Sequence, residues 1–223
     1  MLKWLKKLQK KIKKMKSNLF PIAKEGFIYI FYSVLAYFIF SFLDCDLFAF
    51  LSLLISVGLI FVYRNPEREL SLFGENSVVS PVDGVVLSIE ESDDEYAYKV
   101  EIESDYKDVS ILRVPMTSTL KKIDLKRGAR LSKNNSLAPK INEKVDLIYE
   151  DKNSNRLKIS HMLKQSFSSI KLSVKESQHL PQGMRYGVMV SGVTTIYIPQ
   201  NFRLSVSVGN EVKASESLIG YLS

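Results

Sequence analysis

The 223 residues are 46% apolar, enough for a sizeable core, and carry a formal net charge of +7. Nine lysines against Glu25 make residues 1–26 +8, so the remainder is −1, without the basic folded face that a nucleic-acid binder needs. Cys45 is the only cysteine, and His161 and His179 are the only histidines, which excludes an intrachain disulfide and a cysteine-based zinc cluster and leaves no metal site to expect.

The chain opens on Lys3, Lys6, Lys7, Lys10, Lys11, Lys13, Lys14 and Lys16, interleaved with Leu2, Leu5, Leu8, Ile12 and Met15. On a helix these apolar residues form one stripe among lysines, the pattern of a segment lying on anionic phospholipid. A solvated basic tail is the alternative reading. Phe27 to Leu43 then runs seventeen residues without a charge, Asp44-Cys45-Asp46 interrupts, and Leu47 to Tyr63 gives seventeen more. Each run approaches the length that spans a bilayer core, so together they predict a transmembrane helical hairpin, with a buried hairpin of a soluble domain as the alternative. The lysines place the N-terminus inside, and Arg64 and Arg68 return the chain to the same side. The expected domains are therefore a basic membrane-surface segment (1–26), a two-helix hairpin (27–63) and a cytoplasmic β-rich domain (64–223). The β-rich domain is then expected to lie against the inner, cytoplasmic leaflet of the membrane.

Beyond Tyr63 the composition predicts short strands at Val78–Val79, Val85–Ile89, Tyr96–Ile102, Val109–Val114, Leu147–Tyr149, Arg156–Ile159, Ser169–Val174, Gly187–Ile198, Arg203–Val208 and Ser217–Leu222. Ser160 to Phe167 reads as a short helix. The fold class is mainly β. Tyr186 to Pro199, YGVMVSGVTTIYIP, is the apolar, β-branched stretch of a core strand or strand pair, interrupted only by Ser191 and Gly192.

Arg64-Asn-Pro-Glu-Arg68 followed by Ser80-Pro-Val-Asp-Gly84 resembles a motif pair of the phosphatidylserine decarboxylases, in the short, membrane-anchored prokaryotic branch. Val109-Ser-Ile-Leu-Arg-Val-Pro115 is similar to that family's Ile-Ser-Ile-Phe-Met-Ser-Pro strand, Asn142-Glu143 to its Asn-Glu-Arg segment, and Val208 to Gly220 to its closing Gly-x-x-Val-x-x-Gly-Glu-x-x-Gly hairpin. The resemblance implies self-cleavage at a Gly-Ser bond, the serine becoming a pyruvoyl group that acts as an electron sink during decarboxylation. It also implies an activating aspartate, which falls on Asp83, an activating histidine, and a phospholipid headgroup as ligand.

This chain departs from the pattern at three places. The family histidine falls in Met116-Thr-Ser-Thr119, and threonine is no general base near neutral pH. The family's Ala-Arg-Arg-Ile falls on Phe167-Ser-Ser-Ile170. The family's Phe-Gly-Ser falls on an interval one residue short between Gly187 and Tyr197-Ile-Pro199. Anchored on Gly187, Gly192 takes the family glycine and Val193 the serine, which leaves no nucleophile; anchored on Ser191, the order is Ser191-Gly192 and the bond to be cut follows the β-branched Val190. Two readings follow. In the first, a decarboxylase-related protein neither cleaves itself nor carries a pyruvoyl, but binds lipid or assembles as a homo-oligomer or with another membrane protein. In the second, an active decarboxylase uses Asp83 and forms its pyruvoyl from Ser191. An unrelated β-barrel on a basic anchor is a third possibility.

Overall fold

The computed structural model describes residues 21–68, 73–74, 76–91 and 96–222. The eight-lysine segment lies outside these residues. A 3₁₀ turn at Lys24–Gly26 leads into α1 (Phe27–Phe42) and α2 (Asp46–Val62). Both helices lack charged residues apart from Asp46 at the start of α2, and they are separated where Asp44 adopts φ 54°, a left-handed conformation that aspartate tolerates. Their contact is made by small residues: Ala49, Ser52 and Ser56 are buried, and Ser56 Oγ donates to Ser33 Oγ at 2.8 Å. The large side chains point outward, with Phe31 63%, Phe42 87% and Leu47 71% exposed. The helix from Lys24 to Phe42 is long and apolar enough to cross a membrane, whereas α2 has 17 residues and is shorter.

The β domain is built from three sheets. The largest is antiparallel throughout and contains β2 (Gly84–Glu91), β3 (Tyr98–Ser104), β5 (Ser118–Lys126), β6 (Lys144–Glu150), β7 (Arg156–Leu163), β9 (His179–Leu180), β11 (Gly192–Ile198) and β13 (Glu211–Val212). Its order is β13-β2-β3-β11-β7-β6-β5-β9. A second sheet pairs β1 (Ser77–Val79), β14 (Leu218–Leu222) and β12 (Phe202–Leu204), and a third pairs β4 (Ile111–Arg113), β10 (Arg185–Val188) and β8 (Lys171–Leu172). The alternation of Lys144–Glu150, in which Val145, Leu147 and Tyr149 are buried, is that of a strand with one face on a core. The three sheets share that core, which includes Val86, Ile102, Leu112, Leu147, Ile196 and Ile219.

Most expected strands are present, within a few residues of their predicted limits. The expected helix at Ser160–Phe167 is not formed. Ser160 to Leu163 instead completes β7, because Ser160, His161 and Met162 in succession pair with both β6 and β11. The long strand β5 and the four-residue helix α3 (Ala138–Ile141) were not anticipated. The stretch Gly187–Ile198 divides into β10 and β11, a strand pair broken at Met189, Val190 and Ser191.

A smaller cluster fastens the helices to this domain. Ala23 and Tyr63 at the hairpin base pack with Val109, Ile111, Val188 and Val190, and Tyr63 is fully buried. Backbone hydrogen bonds from Ala23 N to Tyr63 O (2.8 Å) and Asn65 N to Pro21 O (2.7 Å) close the base, and Ser110 Oγ donates to Val62 O at 3.0 Å. The broken strand pair that holds Ser191 therefore rests directly on the hairpin.

Candidate functional site

Antiparallel pairing brings the two sequence-predicted site residues to one end of the large sheet. Gly192 lies opposite Ser104 of β3 and Leu163 of β7. Ser104 Oγ donates to Asp83 O at 2.5 Å, so Asp83 and the Ser191-Gly192 pair are separated by one strand.

Asp83 is 7% exposed. Its Oδ2 accepts from Arg68 Nη2 at 2.6 Å and its Oδ1 from Ala214 N at 2.8 Å, while Arg68 Nη1 reaches Glu216 Oε2 at 2.7 Å. Burial raises the Asp83 carboxyl above the ordinary aspartate value, and the Ala214 amide and Arg68 offset part of that rise. Arg113, where the family strand has methionine, is buried beside this pair and donates to Gly183 O (3.2 Å) and Pro66 O (3.0 Å). Burial, with Arg185 and Arg68 close by, lowers its guanidinium to about 10. Sequence reading anticipated Asp83 but not Arg113 or Glu216, although Arg68 and Glu216 both stand in motifs that carried the resemblance.

Ser191 is 2% exposed and its carbonyl accepts from Lys164 N at 3.2 Å. Among the described residues its hydroxyl has no hydrogen-bond partner. Gly192 is close-packed: a Cβ there would lie 2.5 Å from Met162 O and 2.6 Å from Met189 Sδ.

Two histidine positions bear on the chemistry. Thr119, in the segment aligned with the family histidine, pairs with Glu150 of β6 and with His179, which is exposed. Glu150 in turn faces Arg156, at the opposite end of β7 from Leu163, so the Thr119 row is on the order of 20 Å along the strands from Gly192. His161 is nearer. It faces Thr194, two residues beyond Gly192 on β11, and is wholly buried. Both ring nitrogens are engaged, Nδ1 with Thr194 Oγ1 at 2.8 Å and Nε2 with Tyr186 OH at 2.6 Å, and burial lowers its pKa to about 3. Such an imidazole stays neutral and is a weak base.

The expected loss of two cations at Phe167–Ile170 is offset in space. Arg130 donates to Phe167 O (2.9 Å) and Ser169 Oγ (2.6 Å), and Arg127 donates to Ile170 O (3.1 Å). Both arginines approach Glu143, which is 2% exposed and also accepts from Ile170 N at 2.9 Å. No spacing in the sequence announces this exchange, because Arg127 and Arg130 lie some forty residues away along the chain.

A cavity of about 560 Å³ opens beside Asp83, between the β domain and the segment that leaves the hairpin. Its lining mixes signs: Arg64, Arg68 and Lys213 against Asp83, Asp108 and Glu216. The arrangement suits a ligand with charges of both signs rather than a simple anion or cation.

A β-dominated domain carrying an apolar helical pair, with a buried aspartate and a serine at one sheet end, defines the class. The family model for phosphatidylserine decarboxylase matches residues 59–220. The chain is 30% identical over 208 residues to a protein of Ehrlichia chaffeensis named phosphatidylserine decarboxylase proenzyme, covering 90% of this chain and 91% of that one. Proteins of the same name from Geotalea uraniireducens and Geobacter metallireducens are each 28% identical, with 93% of this chain and all of the relative covered. The chain belongs to the phosphatidylserine decarboxylase family.

Proposed function

We propose that this is a membrane-anchored member of the family that no longer processes itself, and that it retains the mixed-charge cavity as a phospholipid headgroup site. One observation carries the proposal. With the strand anchored on Gly187, the family glycine falls on Gly192 and the family serine on Val193, and the close approach of Gly192 to Met162 O and Met189 leaves no room for a side chain there, so this frame contains no nucleophile.

The remaining geometry supports the same reading. Attack on the preceding carbonyl needs a free hydroxyl, a base and a deformable backbone. Ser191 has the hydroxyl, but Asp83 is held by Arg68 and Ala214 N, and His161 is held by Tyr186 and Thr194. Val190, whose carbonyl would be attacked, is β-branched and packed against the hairpin base. These residues do not fit a pyruvoyl group. The helical pair is proposed to insert in the bilayer, because its large apolar side chains face outward rather than into a core. The domain limits 1–26, 27–63 and 64–223, the cytoplasmic orientation, the inner-membrane location and an oligomeric or heteromeric assembly are part of this proposal.

A second reading is favoured by the name proenzyme on relatives that match nearly the whole chain, and by the retention of Asp83. In it, the Val190–Ser191 bond is cut and the protein decarboxylates phosphatidylserine. Purified full-length protein in phosphatidylserine vesicles decides between them: no CO₂ above the protein-free rate is expected, and sustained release would establish the second reading.

A further inference from the structure

One exposed surface of the β domain is not accounted for by the headgroup site. α3 spans a single turn, and Leu137 and Ile141, four residues apart and thus on one side of it, are 51% and 45% exposed. Lys140 lies on the same side and has no ion-pair partner among the described residues. Residues 121–140 contain seven basic side chains and one acidic, Asp124; five of the seven pair with Glu150, Asp124, Glu143 or Glu103, which leaves Lys122 and Lys140 without an ion pair among the described residues. Apolar side chains beside an unpaired lysine form the chemical pattern of a bilayer interface.

The fold joins this turn to the hairpin base. Asn142, at the end of α3, donates to Leu131 O and accepts from Leu131 N, both at 2.9 Å. The adjoining Arg130 accepts from Gln165 N through its carbonyl (3.0 Å) and donates to Phe167 O (2.9 Å). The Phe167 ring, 43% exposed, stacks on Tyr106 at 5.9 Å and stands edge-on to Tyr29 and Tyr63 at 5.7 and 6.1 Å. Tyr29 and Tyr63 are the first and last turns of the helical pair. Aromatic rings therefore run from the hairpin base to Phe167, and hydrogen bonds through Arg130, Leu131 and Asn142 tie Phe167 to the end of α3.

We infer that the surface formed by Leu137, Lys140, Ile141, Phe167 and Tyr106 rests on an anionic bilayer. It acts as a second membrane contact beside the hairpin and presses the domain against the leaflet. The inference rests on the membrane reading of the hairpin, and the experiment separates the two. Cys45→Ser removes the single cysteine, and full-length variants carrying Leu137→Cys, Ile141→Cys, Phe38→Cys or Asn153→Cys are labelled with an environment-sensitive fluorophore. They are reconstituted in phosphatidylcholine vesicles with and without phosphatidylglycerol, and quenching by brominated acyl chains is recorded. Phe38 lies on the outer face of α1 and reports hairpin insertion; Asn153, in the β6–β7 turn at the far end of the sheet, reports water.

Quenching at residues 137 and 141 several-fold above that at 153 is expected when phosphatidylglycerol is present, falling in 1 M salt, where the Debye length is about 3 Å. Residue 38 should be quenched in every vesicle. Quenching at 38 with 137 and 141 no different from 153 overturns this inference and leaves the hairpin reading intact. Quenching at 137 and 141 without any at 38 sustains the surface contact and overturns hairpin insertion, and quenching at none of the three overturns both.

Discussion

Asp83 Oδ2 and Arg68 Nη2 lie 2.6 Å apart, with each side chain only 10% exposed. The same guanidinium spans to Glu216, so one arginine ties the segment leaving the hairpin to the start of β2 and to the final hairpin of the chain. Removing it strands a buried carboxylate. Arg68→Met is expected to cost about 3 kcal/mol, a fall of roughly 6–12 °C in the thermal midpoint in detergent. Arg68→Lys should lie between Arg68→Met and the parent, since an ammonium lacks the fork that serves both carboxylates.

The close packing at Gly192 makes restoration of the family order a stringent trial. The double variant Ser191→Gly/Gly192→Ser recreates Gly-Ser but places a side chain against Met162 O and Met189. It should remain uncut on gel electrophoresis and lose about 1–3 kcal/mol through overpacking. Cleavage of this variant would show that residue order alone had silenced the site.

His161 gives stability a pH dependence whose sign is fixed. Its folded pKa, lowered by burial to about 3, lies below the 6.5 of the unfolded chain, so the folded state resists protonation. That contribution is complete above about pH 6.5 and is lost as pH falls toward 3, by up to about 1.4 kcal/mol per unit. Between pH 7 and pH 5 the denaturation midpoint of the parent should therefore fall further than that of His161→Gln. Equal falls would contradict the buried neutral imidazole.

Glu143 and its arginines should respond unequally. Glu143→Ala leaves the Ile170 amide and two guanidiniums without their buried acceptor, and about 3 kcal/mol is expected. Arg127→Ala removes a side chain that is 58% exposed and should cost less than about 1 kcal/mol. Thermal melts of the two variants in the same detergent provide the comparison.

Local pattern carried much of the fold. The uncharged runs read directly as α1 and α2, and alternation of apolar residues located most strands. The helix expected at Ser160–Phe167 was an error because Ser160, His161 and Lys164 look polar, yet Ser160 and His161 belong to a strand enclosed between β6 and β11. Asp83 was legible because Ser80-Pro-Val-Asp-Gly84 is a compact motif. The partners of Asp83, by contrast, converge from residues 68 and 214, and no local spacing records that. His161 stands in none of the motifs, and only strand register shows that it lies two residues from the Gly192 row with both nitrogens occupied. Charge was the most misleading average: a body of −1 conceals the basic stretch from residue 121 to 140.

The central claim, that the chain does not cut itself, is tested most directly by the intact mass of protein purified from membranes. A single species of 25.4 kDa is predicted. Two fragments that separate between Val190 and Ser191, the C-terminal one lacking a free amine, would contradict it.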